Sequence, residues 1–256
     1  MEKKKKTGKD LKCTIQPEGA RIKLIHKRSD MEDLPYMTED DKDTIEKMLL
    51  QWVNSAAGVE ASYGYKMLAH DPKMMQFWSI DFTMGIIGLV REAAPQVGDY
   101  CTVNTPWTAM WYVVAKYHQC QWQLHSALFI HSQIKGFDPL KFAMLDYPDH
   151  DTWNDGERLG IKFTKAVLDN KMTDELYKEA EQAWSLRGVL RVIGWIGMLE
   201  SWCRLFNTLN VTSPAEAPYS GDNPKEWQFV DGYNQGLSME ENWGDAIVMS
   251  GSEKKE

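Results

Sequence analysis

Apolar residues recur at helical spacing along most of the chain. From Thr38 onward, Ile45, Met48, Leu49, Trp52 and Val53 fall at i, i+3, i+4, i+7 and i+8, the spacing of one buried helix face. Thr38 and Asp41, three residues apart, form a capping box at its start. Three further starts pair a capping side chain with proline, whose missing N–H costs nothing at the first helical position: Asp71-Pro72, Thr105-Pro106 and Asp138-Pro139. The first of these helices carries Met74, Met75, Phe77, Trp78, Phe82, Ile86 and Leu89 and stops before Pro95, because proline disfavours helix at the residue ahead of it. The second carries Trp107, Met110, Trp111, Val113 and Val114 on into a segment containing His118 and His125, and Gly136 closes the helix beyond them. Amphipathic patterns cover 154–168 and 173–184. A last long one begins at Ser185 and includes Val189, Leu190, Ile193, Ile196, Leu199, Trp202, Leu205 and Phe206.

Period-2 alternation is nearly absent and the β-branched residues lie inside helical patterns, so the expected fold class is all-α, a helical bundle. The two ends differ from the rest. Residues 1–37 are polar, open with lysines at Lys3 to Lys6 and show no sustained periodicity, which predicts a mobile N-terminal arm. Residues 213–256 mix Pro, Gly and Asp with the isolated aromatics Trp227, Phe229, Tyr233 and Trp243. That mixture predicts an irregular extension packed on its own domain or on a neighbouring subunit. One helical domain is thus expected over 38–212.

Composition narrows the function classes. With 43% hydrophobic content, 256 residues suffice for one large core. A net charge of −8 argues against a nucleic-acid partner, which needs a basic stripe. Asp81, Arg91, Lys116 and Arg191 interrupt the apolar stretches, so no membrane span is expected. The cysteines Cys13, Cys101, Cys120 and Cys203 are far apart with no CxxC, and no apolar segment follows the basic start as in a secretory signal. Reduced thiols and a cytoplasmic location are therefore expected.

The segment from Tyr117 to His125 holds the most suggestive chemistry. An apolar helix is expected to run through it, so that His118, Gln121, Trp122 and His125 share a narrow face and Cys120 lies off that face as a buried or flanking thiol. His131 sits about 240° around the helix from His125 and reads as structural or exposed. Asp149-His150-Asp151 offers metal-ligating atoms, but adjacent residues in a loop do not converge on one ion, so a solvated loop is expected. Trp107, Trp111, Trp122, Trp195 and Trp202, with Met110 and Met198, fill a core or line a flat apolar slot for a planar ligand. No GxGxxG, P-loop, zincin or GxSxG element is present, so no metal or other cofactor is expected.

Several pieces in order, namely Met67-Leu68-Ala69-His70-Asp71-Pro72, the helix into Trp122-Gln123-Leu124-His125, the Gly136 turn, Asn154-Asp155-Gly156-Glu157, and Gly194 through Arg204-Leu205-Phe206-Asn207-Thr208-Leu209-Asn210, together resemble the carboxymuconolactone decarboxylase family, which includes alkylhydroperoxidase D. The likeness covers about 63–211. Trp122 and His125 match the family's Trp-x-x-His element, and Arg204 and Asn207 its Arg-x-x-Asn stretch. The resemblance implies an α-helical subunit that assembles as trimers or hexamers, with pockets near subunit contacts. In the family's peroxidase branch two cysteines stand seven and four residues before the histidine, positions held here by His118 and Gln121. Its glutamate, about nineteen residues before the histidine, is replaced by Pro106. The resemblance therefore points to the decarboxylase-like branch and away from the thiol peroxidase.

The leading expectation is a cofactor-independent lyase acting on a small molecule, a planar unsaturated or aromatic acid or lactone. His125 is the candidate acid–base, since an imidazole titrates at about 6.5 and positioned proton transfer contributes about 10²- to 10⁴-fold. His118 is a second acid–base candidate or a helix-start residue; Gln121, Trp122, Cys120 and Trp195 are candidate substrate contacts. The alternatives are an isomerase or dehydratase using the same histidine, or a non-catalytic binding or assembly protein in which His125 is a core residue.

Overall fold

A computed structural model describes residues 16–53, 63–100, 102–132 and 136–212, apart from the side chains at 52, 53, 125, 129, 130, 132, 139 and 140. All regular structure among the described residues is helical, as the sequence pattern predicts. In chain order the α-helices are α1 (Glu39–Val53), α2 (Tyr63–Leu68), α3 (Pro72–Gln76), α4 (Gly85–Glu92), α5 (Ala94–Val97), α6 (Pro106–Tyr117), α7 (Gln121–Ser132), α8 (Asp155–Leu168) and α9 (Asp174–Leu209). No helix among the described residues is long and apolar enough to cross a membrane.

Local chemistry sets the helix starts. The Thr38 hydroxyl accepts from the Asp41 N–H at 3.2 Å and the Asp41 carboxylate accepts from the Thr38 N–H at 3.0 Å, the reciprocal box expected for α1. Asp71 caps α3 by accepting from the N–H groups of Lys73 and Met74. Asn154 and Glu157 close the same kind of box on α8. Thr105-Pro106 opens α6, yet the Thr105 hydroxyl lies 3.4 Å from that of Thr108 and caps no amide. Asp138-Pro139 opens a six-residue 3-10 helix, Pro139–Met144, in place of the expected α-helix.

Two long helices depart from regularity. After α3 the chain stays helical but widens to a π-helix over Phe77–Met84, where the Thr83 hydroxyl donates to the Trp78 carbonyl five residues back at 2.6 Å. The α4 helix ends at Glu92, and Pro95 lies in the first turn of α5, where a missing N–H does no harm. The helix α9 contains one non-helical residue, Ser185 (φ 61, ψ 163), which is the break the sequence places between 184 and 185. Its hydroxyl accepts from the Gly188 N–H at 3.5 Å and restarts the helix.

The expected single domain over 38–212 divides into two compact units, one holding the described residues up to Met84 and from Phe206 onward, the other Gly85–Leu205. In the first, the stretch expected to be a mobile arm is built into the fold from residue 16. Leu24, Ile25 and Met31 are buried, the Ile25 N–H donates to the Lys66 carbonyl at 3.1 Å, and the Arg21 N–H donates to the Leu209 carbonyl at 2.7 Å. A few well-placed apolar side chains and long-range backbone bonds outweigh a polar average. Residues 1–15 of that arm and the whole extension 213–256 lie outside the described residues.

The second unit centres on α6, buried from Pro106 to Ala115 and packed against α7 and α8. The approach to α8 is closest at Gly160, where a Cβ would stand 3.1 Å from Pro106 Cβ and 3.2 Å from Met110 Cε. Trp195 of α9 meets Tyr100, Trp107 and Trp111 edge-on, with ring centroids 5.2, 6.2 and 5.6 Å apart.

Candidate acid–base and thiol site

The helix entering the His118 segment does not pass through it. His118 is the C-cap of α6 and Gln119 takes a left-handed conformation (φ 49). The Gln119 N–H donates to the Lys116 carbonyl at 3.0 Å and the Cys120 N–H to the Ala115 carbonyl at 2.9 Å, a helix closure that usually places glycine at the left-handed position. The Leu124 N–H then donates to the Cys120 carbonyl at 3.1 Å, so Cys120 is the N-cap of α7. His118 and His125 therefore stand on different helices, and the shared face expected from an unbroken helix does not exist. A glutamine tolerates this backbone at a cost of about 1 kcal/mol, and nothing in Tyr117-His118-Gln119-Cys120 announces it.

The closure turns His118 toward α9. Its Nε2 lies 3.2 Å from Glu200 Oε1, with the two side chains 14% and 26% exposed. An Arg204 guanidinium nitrogen stands 3.8 Å from the same carboxylate oxygen. The Tyr117 ring meets His118 edge-on at 5.2 Å, and its hydroxyl donates to the Leu168 carbonyl at 3.2 Å. The sequence reading does not single out Glu200. Its signal was present, since Glu200 is the one charged residue between Arg191 and Arg204 in an otherwise apolar helical run.

Two buried free thiols occupy the same corner. Cys120 Sγ accepts a hydrogen bond from the Cys203 thiol and from the N–H groups of Gln123 and Trp122 at the start of α7. The Cys203 bond, followed by the amides, holds Cys120 below the ordinary thiol range against the opposing effect of burial. Donation to Cys120, then burial, then the negative charges of Cys120 and Glu200 push Cys203 well above it. Cys120 is thus the buried thiol the sequence suggests, while Cys203, separated by 83 positions, acquires its role through packing alone.

The remaining candidates are dispersed. Gln121 is exposed in the first turn of α7, Trp122 is buried one residue on, and Trp195 is 1% exposed, with an indole N–H that has no acceptor among the described residues. The backbone of His125 lies in α7, one turn past Gln121, and its side chain is outside the described set. His131 is a structural residue: it is buried, shares a 3.4 Å hydrogen bond with the Tyr112 hydroxyl, and packs edge-on to Trp111 at 5.4 Å. Burial pushes its pKa down to about 3. Asp149 pairs with Lys162 at 2.6 Å, and no group of three or more His, Cys, Asp or Glu among the described residues is placed to hold a metal ion.

No family model, curated protein or solved structure matches this chain.

Proposed function

We propose that the protein is a cofactor-independent lyase of decarboxylase type, with His118 as proton carrier; the His118–Glu200 contact is the observation that carries this reading. A carboxylate beside an imidazole fixes the orientation of the ring, the role it plays in acid–base sites on unrelated folds. The partial exposure of both groups leaves the corner open to a small substrate. The resemblance to the carboxymuconolactone decarboxylase family adds the substrate class, a planar unsaturated or aromatic acid or lactone. As the bond to the carboxylate carbon breaks, its electron pair passes into the conjugated system, carbon dioxide leaves, and the imidazolium delivers a proton to carbon. Solvent then returns the proton to the ring. Gln121, exposed in the first turn of α7, is a candidate donor for the substrate's carboxylate, and the buried Trp195 indole N–H is a candidate donor for a ligand oxygen. His125, on the helix that starts here, is the alternative imidazole.

In the same reading the subunits assemble in the cytoplasm as trimers or hexamers. Leu186, Leu190 and Ile193, on one face of α9 at i, i+4 and i+7, are 51, 61 and 41% exposed, an apolar stripe suited to a second copy of the chain. Light scattering should report a mass that is a multiple of 29.5 kDa, and a strict monomer removes the shared-pocket picture.

The test of the chemistry is a panel of unsaturated and aromatic acids and lactones offered to dialysed, chelator-treated protein in heavy water. Carbon dioxide release and deuterium at the product carbon are expected. His118→Ala should then lower turnover by about 10²-fold or more, and His125→Ala shows whether the second imidazole shares the work. Binding without turnover would favour the binding-protein reading. Activity restored only by added zinc or iron would overturn the cofactor-independent one.

A further inference from the structure

Away from the His118 corner, an imidazole meets an exposed phenol: His70, between α2 and α3, faces Tyr36 in the turn before α1. His70 Nε2 lies 2.6 Å from the Lys23 carbonyl oxygen, an atom that can only accept, so Nε2 carries the proton of the neutral ring. That leaves Nδ1 bare, 2.5 Å from the Tyr36 hydroxyl, which donates to it. The backbone holds both side chains in place. The Asp71 N–H donates to the Leu68 carbonyl at 3.0 Å and the Met37 N–H to the Leu34 carbonyl at 3.1 Å, while Met31 and Met37 are buried on either side of the Tyr36 turn. A hydroxyl, a base aimed at its proton and a third group that orients the base are the parts of an activated-nucleophile site. Tyr36 is 59% exposed, so a reagent in solution reaches the phenol without any opening of the fold.

We infer that Tyr36 is a base-activated acyl acceptor, with His70 as its base and the Lys23 carbonyl orienting the ring. The phenol oxygen attacks the carbonyl carbon of an activated ester. A bond forms between the Tyr36 oxygen and that carbon, the bond from the carbon to its leaving aryloxide breaks, and the Tyr36 proton passes to Nδ1 and departs with the aryloxide as a free phenol. The acyl group stays on Tyr36 as an ester, and nothing is oxidised or reduced. Local charge selects the donor. Positions 32–41 hold the carboxylates of Glu32, Asp33, Glu39, Asp40 and Asp41 and no basic residue, which favours an uncharged acyl donor over an anionic one. The site uses none of the groups assigned to the lyase reaction and stands independently of it.

The test compares two tyrosines within one molecule. Tyr147 is 64% exposed and its hydroxyl has no imidazole partner among the described residues, so it reports the reactivity of an unassisted phenol. After brief treatment of the full chain with p-nitrophenyl acetate, peptide mapping should find Tyr36 acetylated at least about tenfold faster than Tyr147. His70→Gln keeps a donor for the Lys23 carbonyl but lacks Nδ1, and should bring Tyr36 down to the rate of Tyr147 while Tyr147 is unaffected. With mono-p-nitrophenyl succinate, an anionic donor, the advantage of Tyr36 should shrink at low salt and recover at high salt. Equal rates at Tyr36 and Tyr147 in the parent chain overturn the proposal, whether or not the variant folds. An advantage that survives in folded His70→Gln removes His70 as the base, and acetyl found on His70 in place of Tyr36 overturns the division of roles. An advantage identical for the two donors removes the selection by charge.

Discussion

His118 and His131 belong to neighbouring helices thirteen residues apart, and the fold gives them opposite surroundings. His118 ends α6, partly exposed, with a carboxylate at 3.2 Å. His131, in the last turn of α7, is enclosed by the rings of Trp111, Tyr112 and Phe137, and burial holds it neutral down to a pKa of about 3. An imidazole is available for proton transfer where water and a fixed charge reach it, and becomes a packing group where aromatic rings replace them. Residue type and helical position say nothing of which will happen.

The largest effect expected from this contrast is on turnover. His118→Ala should reduce kcat/KM by about 10²- to 10⁴-fold on the identified substrate, while His131→Phe stays within about threefold of the parent. Equal losses in the two variants would dissolve the distinction. Next comes acid stability. Because the folded-state pKa of His131 is depressed from its ordinary 6.5 to about 3, the unfolded chain binds the extra proton between those values. The stability His131 contributes is complete above about 6.5 and is lost as pH falls toward 3, by at most about 1.4 kcal/mol per pH unit. Urea denaturation across that range should show the slope, and His131→Phe should flatten it; an unchanged slope in the variant assigns the acid sensitivity elsewhere.

Two smaller effects sharpen the picture. Glu200→Gln should lower kcat about tenfold and leave KM near its parent value, with partial recovery in Glu200→Asp, as a group that positions the imidazole without touching substrate would. A raised KM at constant kcat would instead make Glu200 a substrate contact. Tyr112→Phe, which removes the hydroxyl shared with His131, should cost about 1 kcal/mol in denaturant unfolding and leave turnover unchanged. Lost turnover there would tie the aromatic enclosure to the reaction.

Much of the fold is legible in the chain because its signals are local. Thr38 with Asp41, Asp71-Pro72 and Asn154 with Glu157 act within one turn of themselves, and each opens the helix it announces. Ser185 marks a break for the same reason. The reading fails where a residue behaves against type or where packing reverses an average. Gln119 occupies a backbone region associated with glycine, and that single dihedral separates His118 from His125. The segment from residue 16 to Met37 looks polar overall, yet Leu24, Ile25 and Met31 anchor it.

By itself, then, the sequence determined the helical class, most helix starts, the Ser185 break, and the chemical stock of imidazoles, thiols and indoles. These arise from periodicity and from capping bonds spanning three or four residues. Only the tertiary structure decided the partners: Glu200 for His118, Cys203 for Cys120, and an aromatic enclosure for His131. The strength of a charge, a thiolate or a neutral imidazole depends on what lies within a few ångströms in space. Between positions separated by more than eighty residues, folding alone sets that distance.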